Sequence, residues 1–314
     1  MPPGRCKLAP MFTRTRDLPM PLLLALLAAL FVATPGHAED ADLAALFAAA
    51  GVEGTLVIAH LDGDPVHVHN ATRAAQRFPV ASTFKILNTL IALEEGVVAR
   101  PDALIPWDGR LHDLPDWNRD HTLASAFAAS CVWCYQSLAR EIGAERYRSH
   151  LERAGYGELA EPFDPVAFWL DGTLTISALE QVEFLRRVIL RTLPYRESSY
   201  EGLHRVMLAE AGDHDRLFAK TGWAARATPQ IGWYVGYVET PDATWIFALN
   251  MDTRGAADLP LRQALVRAGL QAKGILASPM VAPAINREDR GDTRDPAAAM
   301  SATTTQEEHR ADVE

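Results

Sequence analysis

Strand-forming residues gather at the two ends of this sequence, and helical spacing fills its middle. Residues 55–61 are rich in β-branched and aliphatic side chains, Asp62-Gly63 is a turn signal and residues 66–69 alternate, the pattern of a β-hairpin. Far downstream, residues 216–220, 231–240 and 244–251 read as three more strands, with Pro241-Asp242 turning the last pair, and Leu261–Ala272 reads as a closing helix. Helical periodicity recurs between them over 123–142, 177–193 and 200–211, with loops such as 155–165 separating the segments. A sheet divided in this way predicts an α+β fold: an antiparallel sheet built from N- and C-terminal strands, flanked by helices, with an inserted all-helical region over about 97–212.

The chain has 314 residues, 48% of them apolar, enough for one large globular domain or two small, closely joined ones. Its formal net charge is −10. Phosphate binding needs a basic face that is not visible here, so no nucleic-acid partner is expected. Residues 1–38 place Arg5, Lys7, Arg14 and Arg16 ahead of an apolar run over 19–33, which ends in Pro35-Gly36-His37-Ala38 with small residues at the −3 and −1 positions of a cleavage site. The run is shorter than the ~20 residues a spanning helix needs. We therefore expect a cleaved signal peptide, a periplasmic protein and no stable membrane anchor. Cys6 precedes the run, so it does not sit where a lipoprotein cysteine would. From residue 277 the composition turns to Pro, Ala, Thr and alternating charge, which predicts a disordered tail beyond a folded domain over 39–276.

Ser82-Thr83-Phe84-Lys85 sets a hydroxyl and an amine three residues apart where a helix begins: Pro79 precedes, and Phe84, Leu87, Ile91 and Ala92 recur at helical spacing. Serine followed three residues later by lysine is common by chance, and lysine usage sharpens it. After the leader only Lys85, Lys220 and Lys273 remain in a chain that otherwise uses arginine. Two of the three lie in Ser82-x-x-Lys85 and Lys220-Thr221-Gly222. An ammonium can lose its proton when buried and a guanidinium cannot, so positions needing a neutral amine or a compact charge must stay lysine. Ser130-Cys131-Val132, on the middle helical segment, adds a second hydroxyl between the two motifs.

With these motifs the sequence resembles the class D, oxacillinase-type, serine β-lactamases. The resemblance rests on Phe78-Pro79-Val80-Ala81-Ser82-Thr83-Phe84-Lys85, Ser130-Cys131-Val132-Trp133, Phe168-Trp169-Leu170, Gln181-Val182-Glu183-Phe184-Leu185, Lys220-Thr221-Gly222-Trp223, Asn250-Met251-Asp252 and Leu259-Pro260-Leu261-Arg262, in family order over about 41–276. It implies a serine β-lactamase/D,D-peptidase-like fold and a small-molecule β-lactam substrate. Ser82 is then the nucleophile, with an oxyanion site from the backbone N–H groups of Ser82 and Trp223. Ser130, helped by Lys220, relays a proton to the lactam nitrogen. Thr221 and Arg262, beside Gly222, hold the substrate carboxylate. Lys85 is expected to be carbamylated by carbon dioxide and to act as general base, with Trp169 donating its indole N–H and Val132 and Leu170 forming apolar walls. Trp117 matches a position at the mouth of the site. No other cofactor and no metal are expected. Tyr156-Gly157 is followed by Glu158 where the family usually carries asparagine, which puts the hydrogen bonds of that loop in doubt.

Other readings are weaker. Cys131-Val132-Trp133-Cys134 suits a redox pair, but such pairs follow a strand and this one follows helical residues; a disulfide between the two stays open. His67-Val68-His69 starts like a metallo-β-lactamase zinc motif, and the aspartate it needs two residues on is Ala71. A β-lactam-sensing receptor domain or a D,D-transpeptidase would share the serine and lysine machinery, though the first is expected to follow several membrane spans and the second to bring extra domains. A class A β-lactamase would carry Ser-Asp-Asn between Lys85 and Lys220, and the triplet does not occur.

Overall fold

The computed structural model describes Met1 and residues 38–276; the expected signal peptide, apart from its end residues, and the expected tail lie outside the described residues. The chain enters through α1 (Ala41–Ala50), β1 (Gly54–His60), β2 (Val66–His69), α2 (Ala71–Ala75) and β3 (Phe78–Pro79). A 3₁₀ turn, Ala81–Phe84, then leads into α3 (Lys85–Glu94). The middle holds β4 (Leu104–Ile105), β5 (His121–Thr122), α4 (Leu123–Ala128), α5 (Val132–Ala154), β6 (Glu158–Leu159), β7 (Leu174–Ile176), α6 (Ala178–Ile189) and α7 (Glu197–Met207). It closes with β8 (Leu208–Ala211), β9 (Arg216–Ala224), β10 (Gln230–Glu239), β11 (Thr244–Thr253) and α8 (Leu261–Ala272). Among the described residues no helix is long and apolar enough to cross a membrane.

The main sheet is antiparallel, in the order β2-β1-β11-β10-β9-β8. It is joined across the sequence by β1 and β11, from Gly54 opposite Met251 to His60 opposite Trp245. Both faces are covered, which is why β10 is buried from Ile231 to Val238 without alternation. Leu43 and Phe47 of α1 and Leu265, Val266 and Leu270 of α8 pack one face. Phe84, Leu87, Tyr135 and Leu185 belong to the core on the other. Each such side chain contributes about 1.5–3 kcal/mol by leaving water.

The expected α+β architecture is present, with three corrections. The region 97–212 is not all-helical: it carries β4 paired with β5, β6 and β7 in a small sheet with β3, and β8. The 200–211 helix ends at Met207, because residues 208–211 satisfy their backbone groups on β9 at the edge of the main sheet. The segment 123–142 breaks after Ala128, so Ser130 stands between two helices rather than on one. Helix α1 was not anticipated from its alanine-rich, weakly patterned sequence. Its ends were legible, since Asp40 caps Leu43 N–H at 3.2 Å and Gly51 closes the helix at φ 63°.

Candidate active site

The 3₁₀ turn is built to present Ser82. Val80 N–H donates to Leu174 O at 3.2 Å and the Trp233 indole donates to Pro79 O at 2.8 Å, which fastens the entry to the turn. Ala81 then adopts φ 48°, a left-handed conformation rare for a residue with a side chain. Thr83 is locked by its own hydroxyl on Val80 O, 2.6 Å, and by Gln181 Nε2, 2.9 Å, which gives the Gln181 motif a physical role. Ser82 stays half-exposed in the turn that leads into α3 while its neighbours Ala81, Thr83 and Phe84 are buried.

Lys85, the first residue of α3, turns its amine back onto Ser82: Nζ to Oγ is 2.9 Å. Lys85 is fully buried, with Nζ over the Tyr135 ring at 5.2 Å. Burial, and then the charge of Lys220, hold its pKa well below the usual lysine value. Both causes shift the balance toward the neutral amine. Beside Phe84, whose ring lies 5.8 Å from that of Trp169, the Trp169 side chain is fully buried and its Nε1–H finds no partner among the described residues. An unpaired buried donor costs about 1–3 kcal/mol and calls for an acceptor in the working enzyme.

Lys220 lies on β9, where Lys220 pairs with Val235 and Gly222 with Trp233 on β10. Its Nζ reaches Thr221 O at 3.1 Å and Thr221 Oγ1 at 3.4 Å and sits 5.5 Å from the Phe127 ring centre, three residues before Ser130. Burial, with the charge of Arg262 adding to it, pushes Lys220 down to about 7. The backbone of β9 abuts the nucleophile turn: a Cβ on Gly222 would stand 3.1 Å from Thr83 Cγ2. That closeness places Gly222 and the half-buried Thr221 and Trp223 beside Ser82.

Arg262 is not the solvated helix residue its position allowed. It is 8% exposed, its Nη1 donates to Gly222 O at 2.7 Å and its Nε to Leu259 O at 2.7 Å. Gly232 makes the room, since a Cβ there would meet Arg262 Cδ at 3.0 Å. Burial lowers Arg262 to about 10, so it remains a cation at neutral pH.

Ser130 has φ 54° in the gap between α4 and α5, and Ala81 and Ser130 are two of four non-glycine residues with positive φ among those described. Strain of this kind persists where the surroundings over-determine it, and it concentrates at working sites. Val132 opens α5 two residues later, Leu170 follows Trp169, and both are half-buried. Trp117 is tied in place by its indole N–H on Ala129 O, 3.0 Å. Cys131 and Cys134 are joined by a disulfide, which resolves the point the sequence left open. His67 and His69 engage Asp40 and Glu39, at 3.0 and 2.5 Å, in a hairpin-surface role. At the departure, Glu158 pairs with Arg77, while a Cβ on Gly157 (φ 63°) would lie 2.2 Å from Thr175 O, so only glycine fits there.

Sequence reasoning missed Tyr135, Phe127 and Gln181 as parts of the site. Tyr135 and Phe127 have no local signal, because each meets a lysine from another element. Gln181 stood in a recognised motif, and only its contact with Thr83 explains it.

The penicillin binding protein transpeptidase domain family matches residues 57–271. The chain is 41% identical to β-lactamase OXA-48 of Klebsiella pneumoniae over 224 residues, 71% of this chain and 84% of that one. It is 37% identical to β-lactamase OXA-20 of Pseudomonas aeruginosa over 262 residues, 81% of this chain and 97% of that one. Among solved structures, a class D β-lactamase from Nostoc aligns with TM-score 0.73 at 39% identity, covering 74% of this chain and 99% of its own. The class D enzyme FUS-1 (OXA-85) of Fusobacterium nucleatum aligns with TM-score 0.74 at 36% identity, covering 76% and 100%.

Proposed function

Because this chain belongs to the class D β-lactamases, within the penicillin-binding transpeptidase family, and is therefore a β-lactam-hydrolysing enzyme, we propose that it works through a covalent acyl-enzyme on Ser82. The observation that carries this reading is the buried Lys85 amine, its Nζ 2.9 Å from Oγ of the half-exposed Ser82. In this reading Ser82 gives its proton to a base held at Lys85 as the hydroxyl attacks the lactam carbonyl. Backbone N–H groups of Ser82 and Trp223 receive the developing oxyanion, and the start of α3 adds a favourable dipole. Ser130, with Lys220 behind it, passes a proton to the departing lactam nitrogen. Thr221 and Arg262 hold the carboxylate of the drug by charge-assisted hydrogen bonds.

We read Lys85 as the site of a carbamate formed reversibly with carbon dioxide, and the unpartnered Nε1–H of Trp169 supports the fit. Bound there, the group supplies an anionic oxygen that serves as base for both acylation and deacylation. In this reading Lys85 contributes the uncharged nitrogen this chemistry needs, Trp169 a buried donor, and Val132 and Leu170 apolar walls.

The same reading places the mature enzyme in the periplasm after removal of a leader over 1–38. The Cys131–Cys134 disulfide accords with an oxidising compartment. Intact-mass analysis during incubation with a penicillin tests the mechanism: a transient adduct on Ser82 with accumulating hydrolysed product supports it. A permanent adduct would instead mark a sensor or a transpeptidase.

A further inference from the structure

The Cys131–Cys134 bridge begins one residue after Ser130, and it spans a loop too short for a large entropic gain in the unfolded chain. Its effect is therefore local. Upstream, Ser130 N–H donates to Phe127 O at 3.1 Å and Cys131 N–H to Ala126 O at 2.9 Å, so the end of α4 holds the gap from one side. Downstream, Cys131 Sγ accepts Cys134 N–H at 3.3 Å as the N-cap of α5, and both sulfurs are buried. The bridge straddles Trp133, whose indole donates to Trp117 O at 2.9 Å, while the Trp117 indole donates to Ala129 O at 3.0 Å. Ala129, Ser130, Cys131, Cys134, Trp133 and Trp117 thus form a closed ring of covalent and hydrogen-bonded links. The one residue of this ring with a left-handed backbone is Ser130.

We infer that the Cys131–Cys134 disulfide is a positioning device for Ser130, holding its backbone at positive φ so that its hydroxyl is ready to protonate the lactam nitrogen. The inference rests on the role of Ser130 proposed above. It makes a step-specific claim. Protonation of the lactam nitrogen belongs to acylation alone, so loss of the bridge slows acylation and leaves deacylation, which depends on Lys85 and Trp169, at its original rate.

The test is pre-steady-state kinetics with a chromogenic cephalosporin on the mature protein and three variants. Cys131→Ala/Cys134→Ala removes bridge and cap together; Cys131→Ser/Cys134→Ala keeps a capping oxygen and removes only the covalent link; Ser130→Ala is the reference for the role of Ser130. The expected result is acylation slowed about tenfold or more in both cysteine variants, with deacylation unchanged, the scale of a small misplacement of a reacting group. Cysteine variants that acylate at the wild-type rate while Ser130→Ala is slow overturn the inference and leave the role of Ser130 standing. Equal slowing of both steps, the mark of general loosening, overturns it as well. A Ser130→Ala enzyme that acylates normally overturns the role of Ser130 itself. Should the cysteine variants fail to fold, wild-type protein reduced by excess dithiol decides the matter, the bridge becoming two thiols as the reagent becomes a disulfide. Acylation must then fall with two titratable thiols and return on reoxidation, and an unchanged rate overturns the inference.

Discussion

Lys85 Nζ lies 2.9 Å from Ser82 Oγ, one turn of chain away, where the amine is fully buried and the charge of Lys220 further disfavours its protonation. A surface pair with the same spacing would leave the lysine charged and unable to take a proton. Burial, which the sequence pattern alone does not supply, favours the uncharged amine that the proposed mechanism needs.

The first consequence concerns the nucleophile. Ser82→Ala removes the hydroxyl facing Lys85 and abolishes the covalent penicillin adduct in intact-mass spectra. An adduct that persists, located by peptide mapping, moves the nucleophile elsewhere.

Acid pH should silence the enzyme in a characteristic way. As pH falls through the lowered value of Lys85 the amine takes up a proton, carbon dioxide is released and activity drops. Added bicarbonate restores it at pH values where the amine is neutral. Trp169→Ala leaves the Lys85 site without its donor and prolongs the acyl-enzyme, read as slower deacylation. Failure of bicarbonate to reactivate decarbonated enzyme at any pH removes the carbamate from the mechanism.

Arg262 offers a test of substrate binding. Arg262→Ala should lose on the order of 1.5–3 kcal/mol in kcat/KM toward carboxylate-bearing drugs, the scale of a charged hydrogen bond. Arg262→Lys should recover only part of it, because a point charge cannot keep both the Gly222 and Leu259 carbonyls and still offer a planar fork. Unchanged kcat/KM in Arg262→Ala would confine this residue to bracing Gly222.

Lys220 links function to stability. Its value in the folded chain is lowered to about 7 by burial and by Arg262, against 10.5 for the ordinary side chain. Between those two pH values the unfolded chain holds a proton that the folded chain does not, so stability rises with pH across the window. Below it the folded chain carries a buried ammonium and the full penalty is present. Lys220→Met should therefore stabilise the protein at pH 6 by on the order of a few kcal/mol and flatten the rise toward pH 9.5, while activity collapses. Denaturant melts at the two pH values read this directly, and a variant no more stable than wild type at pH 6 contradicts it.

The residues proposed to do the chemistry were legible in the chain. An arginine-rich composition leaves lysine only where a guanidinium cannot serve, which singled out Lys85 and Lys220, and the spacing of Ser82 to Lys85 is a local, one-turn relation that survives in any helix start. The strands at both ends and the closing helix Leu261–Ala272 were equally readable, because alternation, turn residues and helical periodicity are properties of neighbouring residues. Other features had no such local signature. The break that lifts Ser130 out of its helix, the strand pairing of residues 208–211, the burial of Arg262 against Gly222 and the orphaned indole of Trp169 each depend on segments distant in sequence. Desolvation and Coulombic repulsion act over a few ångströms of space rather than along the chain. The basicity of Lys85 therefore became defined only when Tyr135 and Lys220, from two separate elements, closed around it.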